Sequence, residues 1–123
     1  MSRNEDSVGA VLVLTTTADD AAAGALSRTL VEEGLAACVT RTAVKSVFRW
    51  EAAAQGEPAQ AGRKMQVCEE AEVLLVIKTS RRRAAEVEKR LLELHPYECP
   101  EVVRIAPEHV EEKYLAWLVA SCD

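Results

Sequence analysis

Leu94-His95-Pro96-Tyr97-Glu98-Cys99-Pro100-Glu101-Val102-Val103 is the stretch on which the reading of the fold turns. Before it, Ala84, Val87, Leu91 and Leu94 recur at helical spacing behind the capping residue Ser80; after it, Glu101 to Ile105 reads as a short strand. Pro96 stops the helix and Pro100 introduces the strand. Each proline fixes its own φ and biases the residue before it away from the helical region, so the connection is stiff and extended. It also carries a His, a Tyr, two Glu and a Cys, which makes it the first place to look for a site.

Ahead of this helix, Val73-Leu74-Leu75-Val76-Ile77 is an unbroken apolar run closed by Lys78-Thr79, the pattern of a strand buried on both faces. Val8 to Leu14, ending in Thr15-Thr16-Thr17, has the same pattern. Thr17 with Asp20 approximates a capping box, and Ala22, Leu26 and Leu30 give the apolar stripe of a helix that Gly34 ends in a left-handed cap. Leu35 to Trp50 predicts a long strand with Val44, Ser46, Phe48 and Trp50 on one face and Lys45, Val47 and Arg49 on the other. Glu51 to Gln60, with Ala61 and Gly62, reads as a mobile hairpin tip from which the chain returns through Met65, Val67 and Glu72. After Pro107 a third helix carries Val110, Tyr114, Trp117 and Leu118 on one side, with Glu108, Glu111 and Glu112 favouring its N-terminus.

The order β-α-β-β-α-β-α contains two split β-α-β units, which predicts an α+β ferredoxin-like sandwich with an additional C-terminal helix. Two helices cover only one face of the sheet. Strands apolar on both faces therefore require the third helix, another subunit, or both on the other face, and the long second strand points to a symmetric homo-oligomer.

The 123 residues, 49% hydrophobic, suit one domain with a real core, with residues 1–7 as a polar, flexible tail. A net charge of −5 argues against a backbone-driven nucleic-acid binder or an anionic-membrane binder. Arg81, Arg82 and Arg83 form a local basic patch that opposes a helix macrodipole, so they read as solvated or partner-facing. No signal-peptide core and no membrane-length apolar run is present, which leads to a cytoplasmic placement. Cys38, Cys68, Cys99 and Cys122 show no C-x-x-C spacing and read as free thiols.

Five blocks in order resemble the CutA divalent-cation tolerance family: Gly34 to Val39, Ser46 to Glu51, Glu72 to Thr79, Leu94 to Glu98 with Pro100 to Val103, and Tyr114 to Leu118. The resemblance covers nearly the whole chain from Val8 to Cys122. It implies a ferredoxin-like subunit in a tight homotrimer packed much like the PII signalling proteins, with a role in tolerance of copper and other divalent cations. Residues 52–62 stand as an insertion where the family has a short turn; lengthening a hairpin tip costs only about 0.6 kcal/mol per doubling of the loop. Members linked to copper carry a Cys at the end of the first strand and a His-His pair before Pro-Tyr. Thr15 and Leu94-His95 occupy those positions here.

His95, Glu98 and Cys99 offer nitrogen, oxygen and sulfur donors within five residues, which suits copper or another borderline divalent ion; Cys38 adds a thiol, although its place between Ala37 and Val39 on a strand reads more strongly as a small buried core residue. His109 with Glu112 is helically spaced, as a surface ion site or an ordinary exposed pair. A second reading places an anionic small molecule in a cleft between subunits lined by Thr15, Lys78, His95, Tyr97 and Trp50, with Lys78 supplying the charge. A third makes the inserted hairpin a docking element for a protein partner. Catalysis finds no support: there is no nucleophile elbow, and Thr15-Thr16-Thr17-Ala18 lacks the arginine of an acylphosphatase phosphate loop. Val73 to Ile77 has none of the aromatics of an RNA-binding sheet.

Overall fold

The computed structural model describes residues 9–51 and 65–122; the expected tail at 1–7 and the inserted tip at 52–62 lie outside them. The elements are β1 (Ala10–Thr17), α1 (Asp20–Glu32), β2 (Cys38–Glu51), β3 (Met65–Ser80), a 3-10 turn (Arg81–Arg83), α2 (Ala84–Leu94), β4 (Val103–Ile105) and α3 (Glu112–Ala120). The sheet is antiparallel in the order β2-β3-β1-β4, so the chain is an α+β ferredoxin-like sandwich with one helix added at its C-terminal end.

Alternation along the central strands separates two faces. Val11, Val13, Val73, Leu75 and Ile77 meet Leu26, Leu30, Val87 and Leu91 of α1 and α2 in the main core. Leu30, Leu75, Ile77 and Leu91 have no exposed surface, and such burial is worth roughly 1.5–3 kcal/mol per side chain. The opposite face carries Leu12, Leu14, Leu74 and Val76, only half-buried, and Val103 and Ile105 of β4, 44% and 41% exposed. This is the face for which the sequence expects cover from the third helix, another subunit, or both. α3 covers one end of the sheet, where Leu118 and Cys122 pack on Ala10 with Ala37, Val110 and Leu115. Of the predicted apolar side of α3, Tyr114 and Trp117 stay exposed and pair their rings at 5.5 Å.

Two caps differ from expectation. Thr17 remains in β1, paired with Val73, and its hydroxyl donates to the Asp19 carbonyl, so Asp19 rather than Thr17 caps α1 by accepting from the Ala22 amide at 2.8 Å. Ser80 accepts from the Arg83 amide at 3.2 Å, but the element it caps is the 3-10 turn that leads into α2. Gly34 ends α1 at φ 75°, a conformation that costs an L side chain energy and glycine none. Arg90 forks to Glu33 at 2.9 and 2.7 Å, joining the end of α1 to α2.

β2 and β3 pair from Cys38–Lys78 to Glu51–Met65 without a break, whereas β1 stops beside Val73. Beyond that point the two long strands run on as a two-stranded ribbon, and one of its faces forms a wall of the site.

Candidate functional site

The connection from α2 to β4 is fastened to the sheet by its first residue. His95 ends α2, with its amide donating to the Leu91 carbonyl at 2.8 Å, and its extended ψ of 132° turns the chain back over β1. The buried imidazole has both nitrogens engaged: Nε2 is 2.9 Å from the Thr16 carbonyl oxygen, and Nδ1 accepts from the Tyr97 amide at 3.1 Å. A carbonyl only accepts and a backbone amide only donates, so the ring is neutral with its proton on Nε2. Burial lowers the His95 pKa below the ordinary histidine value, against the opposing pull of the Thr16 carbonyl and the Glu72 carboxylate.

Tyr97 extends the fastening. Its ring lies 4.9 Å from that of His95, and its hydroxyl donates to Glu72 Oε2 on β3 at 2.7 Å. Burial first, then the bond to Glu72 and its charge, push the phenol up to about 12, with Glu70 and Asp19 adding to the effect. The loop is thus pinned to β1 by His95 and to β3 by Tyr97.

Between this loop and the ribbon lies an open groove of about 900 Å³. Among the described residues, four carboxylates line it, Glu70 and Glu72 from β3 and Glu98 and Glu101 from the loop, with one guanidinium, Arg49. Cys68 and Cys99 bring thiols to it, and Phe48, Trp50 and Tyr97 bring aromatic rings. The register explains the ribbon wall: Ser46 opposes Glu70 and Phe48 opposes Cys68, so these side chains share one face with Trp50 and Glu72.

Of the residues singled out in the sequence, Glu98, Cys99, Tyr97 and Trp50 meet in this groove, with His95 fixing the loop behind them. The others do not. Thr15 is fully buried on the helix-facing side of β1, its hydroxyl without a hydrogen-bond partner among the described residues, whereas its neighbour Thr16 lines the groove. Lys78 points to the opposite side of the sheet from Thr15, since it pairs with Leu12, and its ammonium donates to Thr40 at 3.1 Å. Cys38 pairs with Lys78 at the far end of β3 from Glu72. Glu70, Glu72, Cys68 and Phe48 were not singled out; only strand register brings them to the groove.

As a metal centre, the set His95, Glu98, Cys99 and Cys38 does not fit as one site. Cys38 lies at the other end of the sheet, His95 would have to give up a hydrogen bond to offer a lone pair, and among the described residues no three His, Cys, Asp or Glu side chains converge closely enough to hold an ion. The donors that line the groove do suit cations chemically: carboxylates for harder divalent ions, thiols for copper and zinc.

The family model described as CutA1 divalent ion tolerance protein matches residues 11–61 and 62–121. The divalent-cation tolerance protein CutA of Thermus thermophilus is 35% identical over 108 residues, covering 87% of this chain and 92% of the relative. The crystal structure of CutA from Xylella fastidiosa superposes with a TM-score of 0.79 at 32% identity, covering 94% of this chain and 99% of that one. A CutA structure from Archaeoglobus fulgidus, described as a periplasmic divalent cation tolerance protein, shares the fold with a TM-score of 0.79 at 24% identity, over 93% of this chain and 99% of its own. The chain belongs to the CutA1 divalent ion tolerance family.

Proposed function

We propose that this protein serves divalent-cation tolerance as a non-catalytic homotrimer with PII-like packing that gathers cations, copper among them, at the groove between the β2–β3 ribbon and the loop after α2. The observation that carries this reading is the lining of the groove, where among the described residues four carboxylates and two thiols stand with one guanidinium. Glu98 and Cys99 would supply donors from the loop, and Cys68 and Glu70 from β3. Because no three of them converge within the chain, remaining coordination positions would fall to water or to a neighbouring copy. His95 acts behind the site, as the residue that positions the loop.

Self-association is supported by the half-buried apolar face of the sheet, which α3 covers only at one end. A cytoplasmic setting is supported by four cysteines that are all unpaired. No helix among the described residues is long and apolar enough to cross a membrane. The reading in which Lys78 charges a cleft for an anionic molecule has less support, because Lys78 is bonded to Thr40 away from Tyr97 and Trp50, and the groove that holds those two rings is acidic.

Equilibrium dialysis of the reduced full chain against Zn²⁺ and against Cu⁺ tests the proposal. Saturable retention of either ion supports it. Retention no greater than that of an unrelated protein of equal net charge rejects direct cation capture.

A further inference from the structure

We infer that the loop after α2 is an acid-released latch: the neutral His95 ring holds it against β1, and protonation of that ring frees residues 96–101 while the core stays folded. The inference holds whatever the groove binds, because it concerns only what keeps the loop in place.

The fastening is concentrated in a few atoms. Among the described residues, the hydrogen bonds that tie residues 96–101 to their surroundings run through Tyr97, whose amide donates to His95 Nδ1 at 3.1 Å and whose hydroxyl donates to Glu72 at 2.7 Å. His95 is in turn bound to the sheet through Nε2, 2.9 Å from the Thr16 carbonyl oxygen. Pro96 and Pro100 stiffen the segment and contribute no amide donor, so it has little means of fastening itself elsewhere. Beyond it, Val102 packs against the main core and gives the segment a fixed point on which to turn. Pro96, Glu98, Cys99 and Glu101 are exposed, so their release gives up little apolar burial.

Protonation acts directly on this fastening. The added proton goes to Nδ1 and points an N–H at the Tyr97 N–H, which turns a hydrogen bond into a contact between two donors. It also places a charge in a buried site. From β1 the residue meets the Thr16 carbonyl, from α2 the Leu91 carbonyl at its own amide, from the loop the Tyr97 ring, and from β3 the Glu72 carboxylate; Glu70 and Asp19, at the start of α1, act on Tyr97 beside it. Burial outweighs the pull of Thr16 and Glu72, so the closed latch disfavours the imidazolium, whereas the opened loop lets it hydrate. The opening equilibrium is therefore constant above the ordinary histidine value of 6.5 and grows as the pH falls below it, by at most about tenfold per unit.

The test is amide exchange of the full-length reduced protein at pH 7 and pH 5, expressed as protection factors, with the rings of its two histidines, His95 and the exposed His109, followed by NMR over the same range. Protection at the Tyr97 amide should fall about threefold or more at pH 5, while Leu26 and Leu30 in α1 keep theirs. The amide resonances of Glu98, Cys99 and Glu101 should shift with the same midpoint as the His95 ring, and not with that of His109. In His95→Gln, which has no charge to gain, protection at Tyr97 should be the same at both pH values. Constant protection in the wild type overturns the inference, as does a change confined to the Tyr97 amide or one that persists in His95→Gln. A fall shared by Leu26 and Leu30 also overturns it, since that is unfolding of the whole chain. Where the variant does not fold, a loop transition in the wild type that fails to follow the His95 ring overturns it.

Discussion

His95 and Thr16 are joined by a hydrogen bond of 2.9 Å from the buried imidazole Nε2 to a backbone carbonyl 79 residues away, and that bond sets the position of the loop lining the groove. With Nδ1 occupied by the Tyr97 amide, protonation of the ring forfeits an acceptor and places a charge in a buried site. The folded pKa lies below the unfolded value of 6.5, so the unfolded chain binds the extra proton more readily. The contribution of His95 to stability is complete above that value and declines as the pH falls through the folded one.

Between pH 7 and pH 5 the wild type should therefore lose more stability than His95→Gln, whose uncharged amide titrates nowhere in this range. Urea unfolding midpoints at the two pH values measure this. Equal losses in the two proteins would show that His95 is not the titrating group. Nitrogen NMR of the ring at pH 7 should report the Nε2-protonated tautomer.

Tyr97→Phe removes the donor to Glu72 and keeps the ring against His95. A hydrogen bond to a charged group contributes roughly 1.5–3 kcal/mol, discounted here because the pair is only partly buried, so a loss of about 1 kcal/mol is expected. Amide exchange should accelerate at residues 97–99 and 101 and remain unchanged in the core of α1. Unchanged exchange in the loop would mean that His95 alone holds it.

Gly24 lies within α1, and a Cβ there would meet the Arg41 guanidinium at 3.5 Å, an ordinary contact distance. Gly24→Ala should therefore gain up to about 1 kcal/mol from helix propensity, read as a higher urea midpoint. A lower midpoint would show that Arg41, which bonds Asp20 at 3.0 Å, had been displaced.

Leu14 and Val76 are cross-strand neighbours on the half-buried face of the sheet. If copies of the chain cover this face, Leu14→Asp with Val76→Asp buries two carboxylates in the interface, at a cost of several kcal/mol each. Light scattering should find three times the chain mass of 13.4 kDa for the wild type and a shift toward that single mass for the variant. An unchanged mass in a folded variant would place the interface elsewhere.

The element order was legible because apolar runs, the helical stripes on Leu26 and Leu30 or Val87 and Leu91, and the punctuation by Gly34, Pro96 and Pro100 all agree. Element ends were less so: whether Thr17 caps a helix or extends a strand is decided by its pairing with Val73, which lies far along the chain. The site was half legible. Tyr97, Glu98 and Cys99 sit together in sequence and meet in space, but Glu70, Glu72 and Cys68 reach them only through the register of a long hairpin. Thr15, named for a cleft between subunits, faces the core in this chain, while its neighbour Thr16 lines the groove, a difference of one residue in strand parity. His95 was read as a donor for metal because its type suggests it; its two hydrogen bonds, one to a carbonyl in a distant strand, are a tertiary fact.

The measurement that bears most directly on this account is calorimetric titration of Cu⁺ and Zn²⁺ into the reduced, metal-free protein, compared across the wild type, Glu98→Gln with Cys99→Ser, and His95→Gln. Saturable binding is expected, weakened by about tenfold or more in the loop double variant and by only a few-fold in His95→Gln, through a looser loop. Binding abolished by His95→Gln and untouched in the double variant would contradict this account, making the imidazole a ligand and the groove wall a bystander.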